Sequence, residues 1–339
     1  MTDITPPEAI LGLSCAHLSA RAVHVIAELG IADAVDATPL TADELARTAD
    51  VCPDGLDRLL RLLETHGLFT CDPAGRWSHT ETSRWLRTDH PMSLRAFARM
   101  IGLPMSWNAA TALGHTLRTG EAGIRTLDPD GLFGYLDEHP DERAVFQQAM
   151  TAKAHSDVAA VLAAYDFSRH RRITDVGGGR GHLLTAVLAA HPGLTGVLFE
   201  LPPVAAEVAP AHGLEVVAGD FFTDPLPPSD AYLLMDIIHD WDDADAVTIL
   251  RAVAQAGQAG RATVLLVETV LPEGPEPHWA KTLDVLMLAV TGGRQRTLTG
   301  YESLLDAAGI DLVRAIPTVT PFSVVEGRVR EQRAAEKRG

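Results

Sequence analysis

Short apolar runs alternate with helical patterns in the second half of the chain. They lie near 172–176, 195–199, 214–217, 231–238, 263–268, 311–316 and 322–325. This alternation predicts an α/β fold, in which a mainly parallel sheet carries helices on both of its faces. Ligands of such sheets bind at the carboxyl ends of the strands, so the residues that follow each run are the first candidates for a site.

Residues 8–100 show helical periodicity instead. Thr41 and Glu44 have the spacing of a capping box, in which the threonine oxygen accepts from a free N–H of the helix and the glutamate reaches back. A helix is therefore expected to begin there. Leucines recur on one face between residues 56 and 63, and the glycine at 67 is expected to close this second helix.

Two short strands about a turn are predicted next, at 68–70 and 76–79. Helices followed by such a hairpin predict a winged-helix module. The pattern is helical again from about 101 to 165. We therefore divide the chain into a winged-helix-like domain (1–100), a helical linking region (101–165) and an α/β domain (166–339).

A glycine cluster separates the first of the strand-like runs from a helical stretch. Gly177 and Gly179 can adopt backbone angles that other residues avoid, and a ligand can lie against their bare main chain beside the N–H groups of a helix start. A nucleotide-like cofactor is the expected occupant. A dinucleotide fingerprint needs a third glycine where this chain has His182, so a nicotinamide enzyme is a disfavoured alternative.

Carboxylates stand at successive strand ends around this cluster. Asp175 precedes the glycines and Glu200 ends the next apolar run, which suits a ligand that carries an amine and a ribose diol. Asp220, His239 and Glu268 also fall at or just past strand-like runs. One crevice is therefore expected to collect these side chains.

The glycine segment resembles motif I of the S-adenosylmethionine-dependent methyltransferases, and five further blocks resemble the caffeate and polyketide O-methyltransferase family. The blocks are Phe199–Pro203, Gly219–Phe222, Leu234–Asp243, Val267–Pro272 and Gly292–Thr297. This resemblance covers nearly the whole chain. It implies a Rossmann-like, doubly wound methyltransferase sheet, an N-terminal winged-helix dimerisation domain and a homodimer. The implied reaction methylates a hydroxyl of an aromatic or polyketide-type small molecule, as in the tailoring of bacterial natural products.

The resemblance also implies roles for particular residues. His239 aligns with the family's catalytic base, and Glu268 with the carboxylate that orients the base and sets its tautomer. The cofactor S-adenosylmethionine is expected at the strand ends, and the positions implied for it are Gly177 and Gly179 at the methionine portion, Glu200 at the ribose hydroxyls, and Asp220 with Phe221 at the adenine. The chemistry agrees, since a carboxylate accepts from hydroxyls or an exocyclic amine and an aromatic ring covers a base.

Two positions depart from the plant members of that family. Met235 stands where they carry a lysine, so the cofactor contact there cannot involve that charge. Gln295 stands where they carry a second glutamate beside the histidine, and a neutral amide cannot stabilise an imidazolium by charge. Gln295 and Met150 are the residues we expect at the acceptor.

Deprotonation of the acceptor is the chemical difficulty of such a reaction. A phenol has a pKa of about 10 and a histidine one of about 6.5, a gap worth roughly 5 kcal/mol at about 1.36 kcal/mol per unit. The sulfonium charge of the cofactor and concerted proton removal are expected to offset this gap. Positioning of donor and acceptor can supply roughly 7–11 kcal/mol.

The composition of the chain limits the classes of molecule that the protein is expected to bind. The formal charge is −17, from 45 acidic and 28 basic residues, which disfavours nucleic acid and anionic lipid. The basic tail from residue 327 is interpreted as a helix end that does not bind nucleic acid. No run of 18 apolar residues and no basic start followed by an apolar stretch is seen, so a cytoplasmic protein without membrane contact is expected. No ligand-spaced cluster indicates a metal, and three dispersed cysteines indicate neither a zinc site nor a disulfide framework.

Two alternatives remain open besides the nicotinamide enzyme. A protein of this pattern can use the same cofactor to methylate nitrogen or carbon. It can also act as a winged-helix regulator that senses S-adenosylmethionine. The predicted helix over residues 54–64 carries three acids against two arginines, which disfavours contact with DNA phosphates.

Overall fold

A computed structural model describes residues 5–35, 38–257 and 261–331, and for residues 154–156 it describes the backbone alone. The chain divides into two compact units. The first comprises Met1–Trp107 and Phe133–Lys153, and the second comprises Asn108–Leu132 and Ala154–Gly339.

The elements up to residue 164 are mostly helical. In chain order they are α1 (Pro6–Leu29), α2 (Ile31–Ala34), β1 (Leu40–Thr41), α3 (Ala42–Ala49), α4 (Pro53–Glu64), β2 (Thr70–Cys71), β3 (Arg76–Ser78), α5 (Glu81–Arg84), α6 (Arg95–Ile101), α7 (Pro104–Thr111), α8 (Leu113–Thr119), α9 (Gly131–Glu138) and α10 (Pro140–Ala164).

The remaining elements alternate between strands and helices. They are β4 (Arg172–Val176), α11 (His182–Ala190), β5 (Thr195–Glu200), α12 (Pro202–Ala205), β6 (Leu214–Ala218), β7 (Ala231–Met235), α13 (Asp243–Gly257), β8 (Thr263–Thr269), α14 (Trp279–Val290), α15 (Leu298–Ala307), β9 (Ile310–Pro317) and β10 (Phe322–Val329).

The first unit contains the predicted helices and hairpin. The predicted capping box opens α3, because the Thr41 hydroxyl accepts from Glu44 N and the Glu44 carboxylate accepts from Thr41 N at 2.8 Å. Strands β2 and β3 pair antiparallel, and β1 adds to β3 as a third strand. Leu60, Phe69 and Trp77 are fully buried between this small sheet and the helices, so the predicted helix-and-hairpin module is confirmed.

Helix α1 carries apolar side chains that no other part of the described chain covers. The most exposed of its large apolar residues are Ile10, Leu11, Leu13 and Leu18. Among the described residues, α1 alone is long and apolar enough to cross a membrane by length and composition. Core helices of soluble proteins and signal sequences meet the same test, and charged residues interrupt this helix at Glu8 and Arg21.

The second unit is built on a seven-stranded sheet of order β6-β5-β4-β7-β8-β10-β9. Strands β4 to β8 pair parallel with their neighbours, and β10 runs antiparallel to β8 and β9. Side chains of β7 alternate between two cores, with Tyr232 and Leu234 on one face and Leu233 on the other. Helices therefore cover both faces, and the prediction of a doubly wound α/β sheet is confirmed.

Two sequence predictions differ from the structure. The apolar run 231–238 does not form one strand, because β7 ends at Met235 and Asp236 adopts a left-handed conformation (φ 55°) that turns the chain. The basic tail is not helical where it is described, since β10 continues to Val329. Residues 332–339 of that tail lie outside the described residues.

Candidate active site

The glycine turn after β4 adopts a conformation that requires glycine. Gly177 and Gly179 have φ of 71° and 58°, in the left-handed region that disfavours a side chain. A Cβ on Gly177 would lie 2.7 Å from Cδ1 of Ile237, and a Cβ on Gly178 would lie 2.3 Å from a carboxyl oxygen of Asp175. Nothing lies within 4 Å of the Cβ position of Gly179, so open space adjoins the turn there.

Two carboxyl groups stand at the ends of β4 and β5. Oε2 of Glu200 accepts from Gly179 N at 2.9 Å, and Oε1 accepts from Leu201 N at 2.7 Å. Burial raises the pKa of Glu200, and these two N–H groups oppose the rise. Asp175 is 2% exposed, and burial together with the Glu200 charge raises its pKa to about 7. One of the donors of the glycine turn is therefore occupied by Glu200, whose oxygens keep further lone pairs for a ligand.

The other predicted cofactor residues lie on the loop after β6 and at the end of β7. Phe221 approaches Gly177, with its Cε1 3.5 Å from the Cβ position of that glycine, and its ring meets Trp241 edge-on. The Asp220 carboxylate accepts from Phe222 N at 2.9 Å and is half-buried. Met235 is half-buried and packs against the core on one face of the sheet. The structure thus brings Phe221 to the glycine turn.

His239 lies in a short 3-10 turn directly after β7 and is 7% exposed. Its Nδ1 is 2.8 Å from Oε2 of Glu268, and Oε1 of the same carboxylate accepts from Ile238 N at 2.8 Å. Glu268 itself is fully buried at the end of β8. A carboxylate can only accept a hydrogen bond, so it places a proton on Nδ1 and leaves Nε2 to accept in the neutral ring.

Three carboxylates surround the imidazole. Besides Glu268, Asp236 lies 3.5 Å from Nδ1 and Asp240 lies 3.6 Å from Nε2. Burial opposes the charged ring, but the charges of Glu268, Asp240 and Asp236 outweigh it and raise the pKa of His239 to about 10. The expected gap between a histidine and a phenol is therefore closed by the surroundings of this ring.

Asp236, His239 and Glu268 also offer one ligand atom each within 4.8 Å of one another, a spacing that suits a metal ion. Nδ1 of His239 and Oε2 of Glu268 are joined by a hydrogen bond, so the short distance between these two atoms is explained without a metal ion. The expectation that no metal takes part stays a prediction.

The two predicted acceptor residues fall in different units. Met150 is a half-buried residue of α10 in the first unit. Gln295 is 3% exposed in the second unit, where its backbone N–H donates to Asp284 at 2.8 Å. Neither polar atom of the Gln295 side chain has a hydrogen-bond partner among the described residues. An amide buried in this way is unusual, because an unmet donor or acceptor costs about 1–3 kcal/mol.

Sequence reasoning did not assign three residues that the structure places around the His239 loop. Asp236 flanks the imidazole, and the buried Arg296 donates to backbone carbonyls of the loop. The Tyr301 hydroxyl is fully buried, and burial and the nearby Glu268 charge raise its pKa well above the usual value. A charged residue inside an apolar run marks Asp236 in the sequence, whereas Arg296 and Tyr301 interact with residues that are distant in the chain.

The chain matches two family models. Residues 120–311 match the O-methyltransferase domain, and residues 11–89 match the O-methyltransferase dimerisation domain. The phenazine O-methyltransferase PhzM of Lysobacter antibioticus is 36% identical over 91% of this chain and 92% of its own. The mitomycin biosynthesis 6-O-methyltransferase of Streptomyces lavendulae is 37% identical over 91% and 90%.

One relative of similar coverage carries a different name. The 8-amino-8-demethylriboflavin N,N-dimethyltransferase of Streptomyces davaonensis is 33% identical over 90% of each chain. Among solved structures, CalO1, a methyltransferase of calicheamicin biosynthesis in its S-adenosylhomocysteine-bound form, superposes with a TM-score of 0.87 at 31% identity, covering 97% of this chain and 100% of its own.

These matches span both units and follow the order of the blocks identified in the sequence. They confirm the predicted family, the Rossmann-like sheet and the helical N-terminal domain. The chain belongs to the S-adenosylmethionine-dependent O-methyltransferase family, in which a dimerisation domain precedes the methyltransferase domain.

Proposed function

We propose that this enzyme methylates a hydroxyl of an aromatic or polyketide-type small molecule, with His239 as the general base and Glu268 as the group that orients it. The observation that carries the proposal is the 2.8 Å hydrogen bond between Nδ1 and Oε2, made out of contact with water at the carboxyl ends of β7 and β8. Relatives named as a phenazine O-methyltransferase and as a 6-O-methyltransferase of mitomycin biosynthesis support transfer to a hydroxyl of a small molecule of this class.

S-adenosylmethionine, the methyl donor, fits the residues at the neighbouring strand ends. The glycine turn leaves open space at Gly179, and the Glu200 carboxylate keeps lone pairs for the two ribose hydroxyls. Phe221 offers a ring face, and Asp220 a carboxylate, for the adenine. Bound there, the cofactor supplies an electrophilic methyl group to a nucleophile that approaches in line with the leaving sulfur.

The protein's own task is to hold the acceptor in line and to take its proton. Glu268 keeps the proton of the neutral ring on Nδ1, so Nε2 faces the hydroxyl as the acceptor of its proton. After transfer, the imidazolium is stabilised by the adjacent carboxylates, since they raise the pKa of His239 to about 10. Proton transfer from a phenol to this ring is then close to balanced in free energy.

Two alternative functions have specific observations for or against them. Transfer to nitrogen is the second candidate, because one relative is named as an N,N-dimethyltransferase. The regulator reading is disfavoured, because both arginines of α4, Arg58 and Arg61, pair with acids one helical turn away and offer no free charge to phosphate. We further propose a homodimer formed through α1, located in the cytoplasm without nucleic-acid or membrane partners.

The reaction is tested with labelled cofactor and a panel of matched phenols and anilines, in the presence of a chelator. We expect labelled methyl ethers, no loss of rate on chelation, and a kcat lowered by about 10²–10⁴ in His239→Ala, the usual worth of a general base. His212→Ala, an exposed histidine of the same unit, is the control. Methylation confined to the anilines, or a rate restored by added divalent metal, would contradict this proposal.

The Glu268→Gln variant tests the electrostatic role of the buried pair. Because Glu268 is the largest of the charges that raise the pKa of His239, its neutralisation should lower that pKa. The ascending limb of kcat/KM, which reports deprotonation of His239, should therefore move to lower pH, while the maximal rate falls because the ring is less well oriented. Bound S-adenosylmethionine shifts the pKa of His239 in the same direction in the parent and in the variant. The direction of the difference between the two pKa values is therefore unchanged. An unchanged or alkaline-shifted limb, with the exposed Glu302→Gln as control, refutes the role.

The Gly177→Ala variant tests whether the glycine turn after β4 binds the cofactor. The added methyl meets Ile237 at 2.7 Å and strains a left-handed residue, at a cost of about 1–2 kcal/mol. We expect cofactor affinity measured by calorimetry to fall on the order of tenfold or more. Gly193→Ala, where nothing lies within 4 Å and φ is ordinary, should bind as the parent does. Equal affinity in both variants would remove the glycine turn from the cofactor site.

The double variant Leu11→Asp with Leu13→Asp tests the dimer. Both side chains are more than 60% exposed on α1, and charge placed there should prevent burial against a second copy. Light scattering should report a dimer for the parent and a monomer for the variant. Val319→Asp changes an even more exposed apolar residue on the turn between β9 and β10 and should stay dimeric. A monomeric parent, or a dimeric double variant, counts against assembly through α1.

A further inference from the structure

The side chain of Arg296 spans the loop that carries His239. Its NH1 group donates to the carbonyl of Ile238 at 2.9 Å, and its NH2 group donates to the carbonyl of Trp241 at 2.8 Å. These two carbonyls lie on either side of His239 in the chain. One guanidinium therefore fixes the backbone both before and after the histidine.

This guanidinium is buried, unlike that of an ordinary surface arginine. Arg296 is 4% exposed, and its carboxylate partner Asp243 stands 59% exposed at the start of α13, where Nε donates to it at 3.0 Å. Arginine offers five N–H donors in a rigid planar fork, whereas lysine offers one compact charge. The acceptors around Arg296, which are three backbone carbonyls and one carboxylate, point to the fork itself as the group required at this position.

The backbone next to Arg296 also makes hydrogen bonds to the loop that carries His239. Arg294 N donates to the carbonyl of His239 at 2.9 Å, and a Cβ on Gly293 would lie 2.0 Å from that carbonyl oxygen. The carbonyl of Arg296 accepts from Leu271 N at 2.9 Å, just beyond the end of β8. The segment 293–296 therefore joins the loop that carries His239 to the strand that carries Glu268.

We propose that Arg296 is a positioning residue for the base: its fork holds the 238–241 loop so that Nδ1 of His239 meets Glu268 and Nε2 faces the acceptor. The inference rests on the proposed role of His239. It differs from a general packing role because two hydrogen bonds of the guanidinium reach carbonyls on either side of His239, and its carboxylate partner Asp243 directly follows the same loop. A shift of the loop lengthens the bond to Glu268 and turns the ring away from the acceptor hydroxyl.

The experiment compares Arg296→Lys in the parent and in the His239→Ala background. In the parent we expect kcat to fall about 30- to 100-fold, the scale of a displacement near 1 Å, while cofactor affinity changes less than about threefold. The ascending limb of the pH profile, which reports deprotonation of His239, should move to lower pH, because a weaker contact with Glu268 lowers the pKa of His239. In the His239→Ala background, the same change should cost less than about threefold, since residues that act as a unit are not additive.

Each outcome separates the two proposals. Full activity of His239→Ala overturns the base role and with it the proposed function. A large loss in His239→Ala, combined with a further tenfold loss when Arg296→Lys is added, overturns only the positioning role. An unchanged pH profile in Arg296→Lys does so as well. Arg251→Lys is the matched control, because Arg251 also donates to a backbone carbonyl, that of Ala307, and is exposed on α13.

A second variant covers the case in which Arg296→Lys fails to fold or to bind cofactor. Asp243→Asn neutralises the exposed carboxylate that holds Arg296 and leaves the buried packing intact. It should lower kcat several-fold in the parent and have no effect in the His239→Ala background. A parent-like kcat for Asp243→Asn, or an equal loss in both backgrounds, overturns the inference.

Discussion

The buried hydrogen bond between His239 and Glu268 is the constraint on which the rest of the site depends. A carboxylate with no access to water is costly unless its oxygens are met by donors, and here the imidazole meets one oxygen while Ile238 N meets the other. Removing either partner would leave an uncompensated charge in the core. Because β7 and β8 pair in parallel register, the sheet itself brings the two side chains to one edge.

Two features of the neighbouring backbone help to place His239 within hydrogen-bond distance of Glu268. Asp236 turns the chain out of β7 in a left-handed conformation, which its N–H contact with the carbonyl of Val267 maintains. This turn ends the strand early, so that His239 stands beside the end of β8 and does not continue within β7. The absence of a side chain at Gly293 then lets the segment 293–296 lie directly on the loop.

Much of this arrangement follows from the sequence. Parallel strands end at a common edge, so the sequence places residues that follow the apolar runs, such as Glu200 and Glu268, at that edge, and the glycine spacing predicts the turn at 177–179. The end of β7 could not be predicted in the same way. An apolar run broken by one aspartate has the pattern of a longer strand, and the chain turns at Asp236 through a contact with another strand. The contacts of Arg296 are equally non-local, because its sequence neighbours do not reveal which carbonyls it reaches.

The raised pKa of His239 has a further consequence in the proposed reaction. Three carboxylates favour the imidazolium before the cofactor binds, since they raise the pKa of the ring to about 10. A sulfonium held nearby favours the neutral ring, because two positive charges repel each other. Linkage makes this coupling reciprocal: if the cofactor lowers the pKa of His239, a proton on His239 weakens cofactor binding by the same factor. In the proposed reaction, binding of the donor would therefore favour release of the proton from His239, and Nε2 would then accept the proton of the acceptor hydroxyl.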